Sequence, residues 1–86
     1  MNEHFYIWKT IEYIASFKGL SLSRLAIECG LDSTAFNPCK WYGKNGIERF
    51  PRTSTIFKIC NYCNISFVDF ANAYERITKK WRDLNR

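Results

Sequence analysis

Hydrophobic residues recur at spacings of three and four along most of this chain, which is typical of amphipathic helices. The pattern predicts five helices: one over residues 3–18, two short ones between Ser21 and Tyr42, one from Thr53 to Cys63, and one from Ser66 to about Leu84. Residues 40–52, KWYGKNGIERFPR, break the pattern with Gly43, Asn45-Gly46 and Pro51, and we expect one extended loop there. The predicted fold class is all-α, in a single domain over residues 1–86.

The first predicted helix has the features of a scaffold element. Asn2 can cap its start, Gly19 suits its end, and Glu3 lies in its first turn. Its apolar stripe contains Ile7 or Trp8, Ile11, Ile14 or Ala15, and Phe17. His4 lies beyond this stripe near the chain terminus, so we expect it to be exposed and without a role in a site.

The stretch from Ser21 to Tyr42, SLSRLAIECGLDSTAFNPCKWY, has the start and stop signals of two short helices joined by a tight turn. Ser21 is a good N-cap, and Gly30 stands where a left-handed C-cap is needed. Asp32 is the candidate N-cap of the second helix, and its negative charge lies at the favourable end of that helix dipole. A helix, a short turn containing Gly and a second helix form the helix-turn-helix pattern, here over about residues 21–42.

The second of these helices has an inward and an outward side. Ala35, Phe36 and Cys39 fall on the inward side, which leaves Ser33, Thr34 and Asn37 facing out. Pro38 removes a backbone hydrogen bond and clashes with the preceding turn. We therefore expect this helix to be kinked at Pro38 or effectively short.

These residues also carry a family resemblance, over about residues 7–71. GLSLSRLAIECGLDSTAF resembles the Cro/lambda-repressor (XRE-type) helix-turn-helix family, with its Gly-Leu-Ser, Leu-Ala and Gly-Leu framework. FNPCK followed by G-x-x-R-F-P is similar, more narrowly, to the DNA-binding domain of LexA-like phage-type repressors. The resemblance implies a five-helix lambda-repressor-like domain that binds double-stranded DNA as a transcriptional repressor. It also implies a second short helix that is kinked at Pro38 and not lost. The Ser-Lys self-cleaving domain of such repressors has no counterpart here, and both a stand-alone regulator and a domain of a longer protein remain open.

The resemblance also implies roles for individual residues. The helix beginning at Asp32 would enter the major groove, with Ser33, Thr34 and Asn37 at base edges; alternatively, Ser33 and Thr34 are only polar residues at a helix start. Asn37 is chemically the best suited to read an adenine. The expected phosphate contacts are Ser21, Ser23, Arg24, Lys40, Lys44, Arg49 and Arg52. Two positions differ from the family pattern. Leu22 stands where the family often has Gln, and Trp41 stands where the narrower family usually has Arg. Trp41 is expected to make van der Waals contact with the sugar-phosphate edge instead.

The charge balance agrees with a polyanionic partner without specifying one. The formal charge is +5 and the pI is near 9.2, values that an ordinary basic domain also has. Within the loop 40–52, four cations stand against Glu48 alone, interleaved with Trp41, Tyr42 and Phe50. Such a run is usually a solvated loop, but its position after a predicted recognition helix favours phosphate contacts.

The last predicted helix carries apolar residues at alternating three- and four-residue spacings, which suits a seam between helices. Phe67 and Phe70 are expected to close the core. Tyr74, Ile77, Trp81 and Leu84 continue the seam into an extension over about residues 72–86. This part either folds back onto Phe5 and Trp8 or pairs with a second subunit. A homodimer would place two recognition helices about 34 Å apart on a near-palindromic site.

The remaining chemistry favours no enzyme, metal or cofactor. Cys60-Asn61-Tyr62-Cys63 spells C-x-x-C, but all four cysteines fall where a helix needs a small apolar residue, so core packing is preferred over zinc. The sequence has a single His and no paired carboxylates in an apolar setting, so no active site is expected. No membrane span or signal peptide is present in the sequence, which predicts a cytoplasmic protein with reduced thiols.

A different class of function remains as the alternative. A helix-turn-helix scaffold can also serve as a protein-binding module, such as an antitoxin, an antirepressor or an assembly domain. Its anchors would be the aromatic residues Trp41, Tyr42, Tyr74 and Trp81.

Overall fold

The computed structural model describes residues 2–84 and places four α-helices in that range. They are α1 (Glu3–Phe17), α2 (Leu22–Glu28), α3 (Thr53–Cys63) and α4 (Phe67–Leu84), with two short 3-10 helices at Pro38–Lys40 and Lys44–Gly46. Within residues 2–84 no strand forms, and one isolated antiparallel bridge joins Tyr42 to Glu48. The all-α class is therefore confirmed. Met1, Asn85 and Arg86, the ends of the predicted domain and its extension, lie outside the described residues.

Helix α2 begins and ends at the residues that the sequence indicates. The Ser21 hydroxyl accepts a hydrogen bond from the Arg24 amide at 3.1 Å, as an N-cap does. Gly30 adopts φ +76°, and the Leu31 amide then donates to the Ala26 carbonyl at 2.9 Å. This left-handed cap turns the chain sharply after α2.

The junction between α3 and α4 is also fixed by local hydrogen bonds. Asn64 takes a left-handed conformation at φ 56°, which lets the Ile65 amide donate to the Cys60 carbonyl. Ser66 and Asp69 then form a reciprocal capping box, with N···O distances of 3.0 and 2.9 Å. Both features agree with the prediction. Asn2 occupies the predicted N-cap position of α1, but its side chain makes no capping hydrogen bond.

The helix predicted to begin at Asp32 is not an α-helix. The Asp32 carboxylate accepts from both the Thr34 amide and the Thr34 hydroxyl, and the following amides bond at three-residue spacing. Asn37 is extended, with φ −66° and ψ 147°, because the ring of Pro38 disfavours an α conformation in the residue before it. Pro38 instead starts a 3-10 helix, at a position where its missing N–H costs nothing. The predicted count of five helices is thus wrong, and we call residues 32–37 the turn segment.

The core is centred on α1 and is closed by α4. Ile11, Leu25 and Ile59 are fully buried with Phe36 from the turn segment, and Phe70 seals the same cluster from α4. Phe67 was expected to do the same, but its side chain is 46% exposed. The single turn between Asn64 and α4 leaves Phe67 on the outer face, against Phe57.

The C-terminal seam folds back onto its own chain. The Trp81 ring meets the Phe5 ring edge-on at 5.1 Å, and the Lys9 ammonium lies 5.5 Å from both ring centroids. Ile77 is buried, Tyr74 and Trp81 are half-buried, and Leu84 is exposed. Of the two arrangements that the sequence left open, this is the intramolecular one, made with Phe5.

The capping box predicts a pH dependence of stability. The Ser66 amide and hydroxyl hold the pKa of Asp69 below its ordinary value of 3.8. The ionised carboxylate therefore stabilises the fold at pH values above 3.8, and that contribution is lost as the pH falls through the lowered pKa. Asp69→Asn should lower the free energy of unfolding near neutral pH, and its difference from wild type should shrink in acid, as measured by urea denaturation.

Asp83→Asn is the matched control, since it removes a carboxylate from the opposite end of α4. A negative charge there opposes the helix dipole, so its removal should leave stability unchanged or raise it. Equal losses for the two variants at neutral pH would contradict the capping role of Asp69.

Candidate nucleic-acid interface

The loop after the turn segment folds into a small hairpin. The Gly43 amide donates to the Ile47 carbonyl at 2.7 Å, beside the bridge between Tyr42 and Glu48. Asn45 and Gly46 both take positive φ, 61° and 72°, which is a type I′ turn with the residue pair that this turn prefers. We call residues 42–48 the loop hairpin. Lys44 stands exposed beside its turn.

Two stacked indole rings, Trp8 from α1 and Trp41, hold this hairpin to the body of the domain. Their centroids lie 5.7 Å apart with planes 10° from parallel. The Trp8 indole N–H donates to the Arg49 carbonyl at 2.8 Å, and that of Trp41 donates to the Phe36 carbonyl at 3.1 Å. We call Trp8 and Trp41 the indole pair. Trp41 is only 8% exposed, so its predicted contact with a sugar-phosphate edge, and its role as an exposed protein anchor, are wrong.

His4 is the third residue that attaches the hairpin, and its predicted exposure is wrong. Only 3% of the residue is exposed, and its Nε2 donates to the Trp41 carbonyl at 2.6 Å. Its Nδ1 lies 3.8 Å from a carboxylate oxygen of Glu48, and its ring packs against Tyr42 at 4.7 Å. The sequence held a signal for this position, since His4 precedes Trp8 by four residues on one helical face.

A cleft of about 380 Å³ opens between the turn segment and the chain leaving the hairpin. Lys40, Arg49 and Arg52 line it together with Thr34, so three of the four predicted loop cations converge there. We call it the basic cleft. Lys44 is not among its lining residues, and neither are Ser21, Ser23 and Arg24 at the start of α2. Arg24 pairs with Glu28 at 2.6 Å, which reduces its availability for phosphate.

The predicted base-contacting residues lie on the turn segment and differ in exposure and hydrogen bonding. Ser33 is exposed, Asn37 is half-buried, and the Thr34 hydroxyl donates to Asp32 at 2.7 Å. The Thr34 amide and hydroxyl lower the pKa of Asp32, so a full negative charge lines the basic cleft at neutral pH. This carboxylate, which the sequence suggested only as a helix cap, would repel phosphate and can accept a hydrogen bond from a base amino group.

The four thiols are free, and they occupy different environments. Cys60 and Cys63 are buried in the core, Cys29 is half-buried, and Cys39 is exposed, so the prediction that all four pack inward is wrong for Cys39. Cys39 lies in the 3-10 helix at Pro38–Lys40, none of whose three residues is buried. Within residues 2–84, no three His, Cys, Asp or Glu side chains are grouped to hold a metal ion.

Comparisons of this chain with models of protein families, with curated proteins and with solved structures find no match. In the described part of the chain, no helix combines the length and apolarity needed to cross a membrane. The basic cleft, with the indole pair and His4 that hold the neighbouring loop in place, is therefore the basis for the function proposed for this protein.

The thiols are expected to react in order of exposure. Burial raises the pKa of Cys29 to about 11 and also raises that of Cys60 and Cys63, so these thiols hold little reactive thiolate near neutral pH. Iodoacetamide should label Cys39 first and the two core cysteines only after urea unfolding, as followed by mass spectrometry. Labelling of Cys60 in the folded protein as fast as Cys39 would contradict the described packing.

The indole pair is expected to control the hairpin. Trp8→Phe keeps an aromatic ring but removes the N–H that donates to Arg49, at a cost of about 1–3 kcal/mol in the free energy of unfolding. Hydrogen exchange at the Gly43 and Arg49 amides should accelerate by more than the global loss explains. Trp81→Phe is the control, since it changes an indole that packs on Phe5. In this variant, exchange at the same amides should change only as much as the change in global stability explains.

Proposed function

We propose that this protein binds double-stranded DNA in a sequence-dependent way and acts as a transcriptional regulator of the repressor type. The observation that carries the proposal is the basic cleft, where Lys40, Arg49 and Arg52 lie beside the turn segment on a frame fixed by buried aromatic residues. A lambda-repressor-like arrangement of residues 21–42, with the turn segment in the place of the second helix of the helix-turn-helix, is part of the same proposal.

Charge and rigidity together support this function. Long basic side chains lose conformational freedom when they bind phosphate, and a frame that already fixes their backbone reduces that cost. The Arg49 carbonyl is held by Trp8, and the Arg49 amide donates to the Trp41 carbonyl at 2.9 Å. Lys40, Lys44, Arg49 and Arg52 are the proposed phosphate contacts, with Ser21, Ser23 and Arg24 as further ones.

The turn segment supplies the proposed base contacts in place of a recognition helix. Ser33, Thr34 and Asn37 project from three-residue turns, so only this short stretch would reach into the major groove. Asn37 is the proposed adenine reader, since its amide both donates and accepts. Phosphate contacts would set the position of the segment, and these few side chains would carry the sequence preference.

The proposal uses a single copy of the chain as its unit. Ile77 and Trp81 pack against their own chain, which favours the intramolecular arrangement of the seam over the homodimer seam that the sequence allowed. A dimer on DNA would use another surface. The protein-binding alternative is weakened, because Trp41, one of its expected anchors, is buried.

The proposal is tested with two variants that should fail differently. Lys44→Ala removes a phosphate contact, so it should weaken binding to all sequences alike and reduce the slope of log K against log salt by about one. Asn37→Ala should cost roughly 1–3 kcal/mol on the preferred site and relax the preference at one base pair. Both are measured by fluorescence anisotropy on a site selected from a random duplex library and on random DNA.

Lys79→Ala is the matched control for charge, because it removes one exposed cation from α4, which belongs neither to the hairpin nor to the lining of the basic cleft. It should leave the salt slope near the wild-type value. Equal effects of Lys44→Ala and Lys79→Ala on the salt slope would mean that DNA binding is general electrostatic attraction. Equal effects of Asn37→Ala on the selected site and on random DNA would contradict its role in reading a base.

A further inference from the structure

A second concave surface lies beside the basic cleft and is almost wholly apolar. It is a groove of about 250 Å³ between α1, α3 and α4, lined by Ile7, Phe50, Ile56, Phe67 and Tyr74, with Glu3 at its edge. We call it the apolar groove. Phe50 and Phe67 are 54% and 46% exposed, so its aromatic walls stand in water. An apolar occupant would remove that surface from solvent, which is favourable.

The charge at the groove indicates the chemical class of the occupant. Glu3 is the one charged side chain among its described lining residues, and within residues 2–84 it makes no ion pair. An apolar molecule with a cationic end would fill the groove and meet this carboxylate. The volume suits one aromatic ring with a short side chain rather than a larger ligand.

Phe50 connects this groove with the basic cleft. Its side chain lines both concavities, and its chain neighbours Arg49, Pro51 and Arg52 line the basic cleft. The Phe50 ring also packs edge-on against His4 at 5.4 Å. A ligand in contact with Phe50 would therefore restrict the segment that carries two of the three cations of the cleft.

From these observations we infer that the apolar groove binds a small aromatic amine, and that its occupancy strengthens binding at the basic cleft. The ligand half depends only on the groove, whereas the coupling half rests on the proposed DNA-binding function. The coupling is positive because filling the groove adds contacts to Phe50 and reduces the freedom that residues 49–52 lose on binding phosphate.

The ligand half is tested without DNA by titrating the whole chain with three probes of similar shape. Phenethylamine should shift the amide NMR signals of residues lining the groove and bind about two- to fivefold more tightly than phenethyl alcohol, the size expected for one exposed ion pair. Phenylacetate should bind most weakly. Glu3→Gln should abolish the preference for the amine while leaving the alcohol bound.

A pair of neighbouring substitutions separates the groove from the rest of the surface. Ala71 lines the groove and is exposed, so Ala71→Leu should fill the groove and block all three probes. Asn72→Leu adds similar bulk one residue away, on a side chain that lines a different concavity between α1 and α4, and should leave binding unchanged. Equal binding of the three probes, or binding that survives Ala71→Leu, would overturn the assignment. Concentration-dependent shifts of the same signals without any probe would also overturn it, because a second copy would then cover the groove.

The coupling half is tested by DNA titration in the presence of phenethylamine. Saturation of the groove should tighten DNA binding by about fivefold, near the lower end of ordinary coupling between sites, and Ala71→Leu should remove the effect. Unchanged DNA affinity with the groove occupied would overturn the coupling. Absence of DNA binding by the unmodified protein would instead overturn the proposed function, and the probe titration would still decide the ligand assignment.

Discussion

The stacking of Trp8 on Trp41 is the contact on which the rest of this small domain depends. It joins α1, the scaffold, to a loop that has only one isolated bridge and one tight turn of its own. A two-stranded hairpin by itself is marginally stable in water. Burial of both rings, and the hydrogen bonds that their N–H groups donate, supply the stability that the hairpin lacks.

The electrostatic pattern follows from this mechanical arrangement. Lys40 and Arg49 are nine positions apart in the sequence, and they reach one cleft because the chain between them doubles back at Asn45-Gly46. Asp32 introduces a negative charge into the same cleft, held there by two hydrogen bonds from Thr34. A surface of mixed sign can orient a polyanion as well as attract it, which a uniformly basic surface cannot do.

Local rules predicted much of this fold, and they failed where distant contacts decide or where two local signals compete. The caps at Ser21, Gly30 and Asn64 depend on residues a few positions apart, so they could be read from the sequence. The burial of His4 depends on a carbonyl 37 positions away and left only a weak trace in the spacing. For the turn segment, apolar spacing predicted an α-helix, but Pro38 and the Asp32 turn outweighed it. The cations of the site were predictable by type, whereas their convergence was not, because the fold of the loop sets it.

The frame of the loop hairpin is built from hydrogen bonds to main-chain carbonyls. Trp8 binds the carbonyl of Arg49, His4 that of Trp41, and Trp41 that of Phe36. A carbonyl is offered by every residue type, so the side chains at positions such as 44 and 49 are free to change without loosening their support. Exposed side chains at such positions can therefore be replaced on a backbone that stays in place.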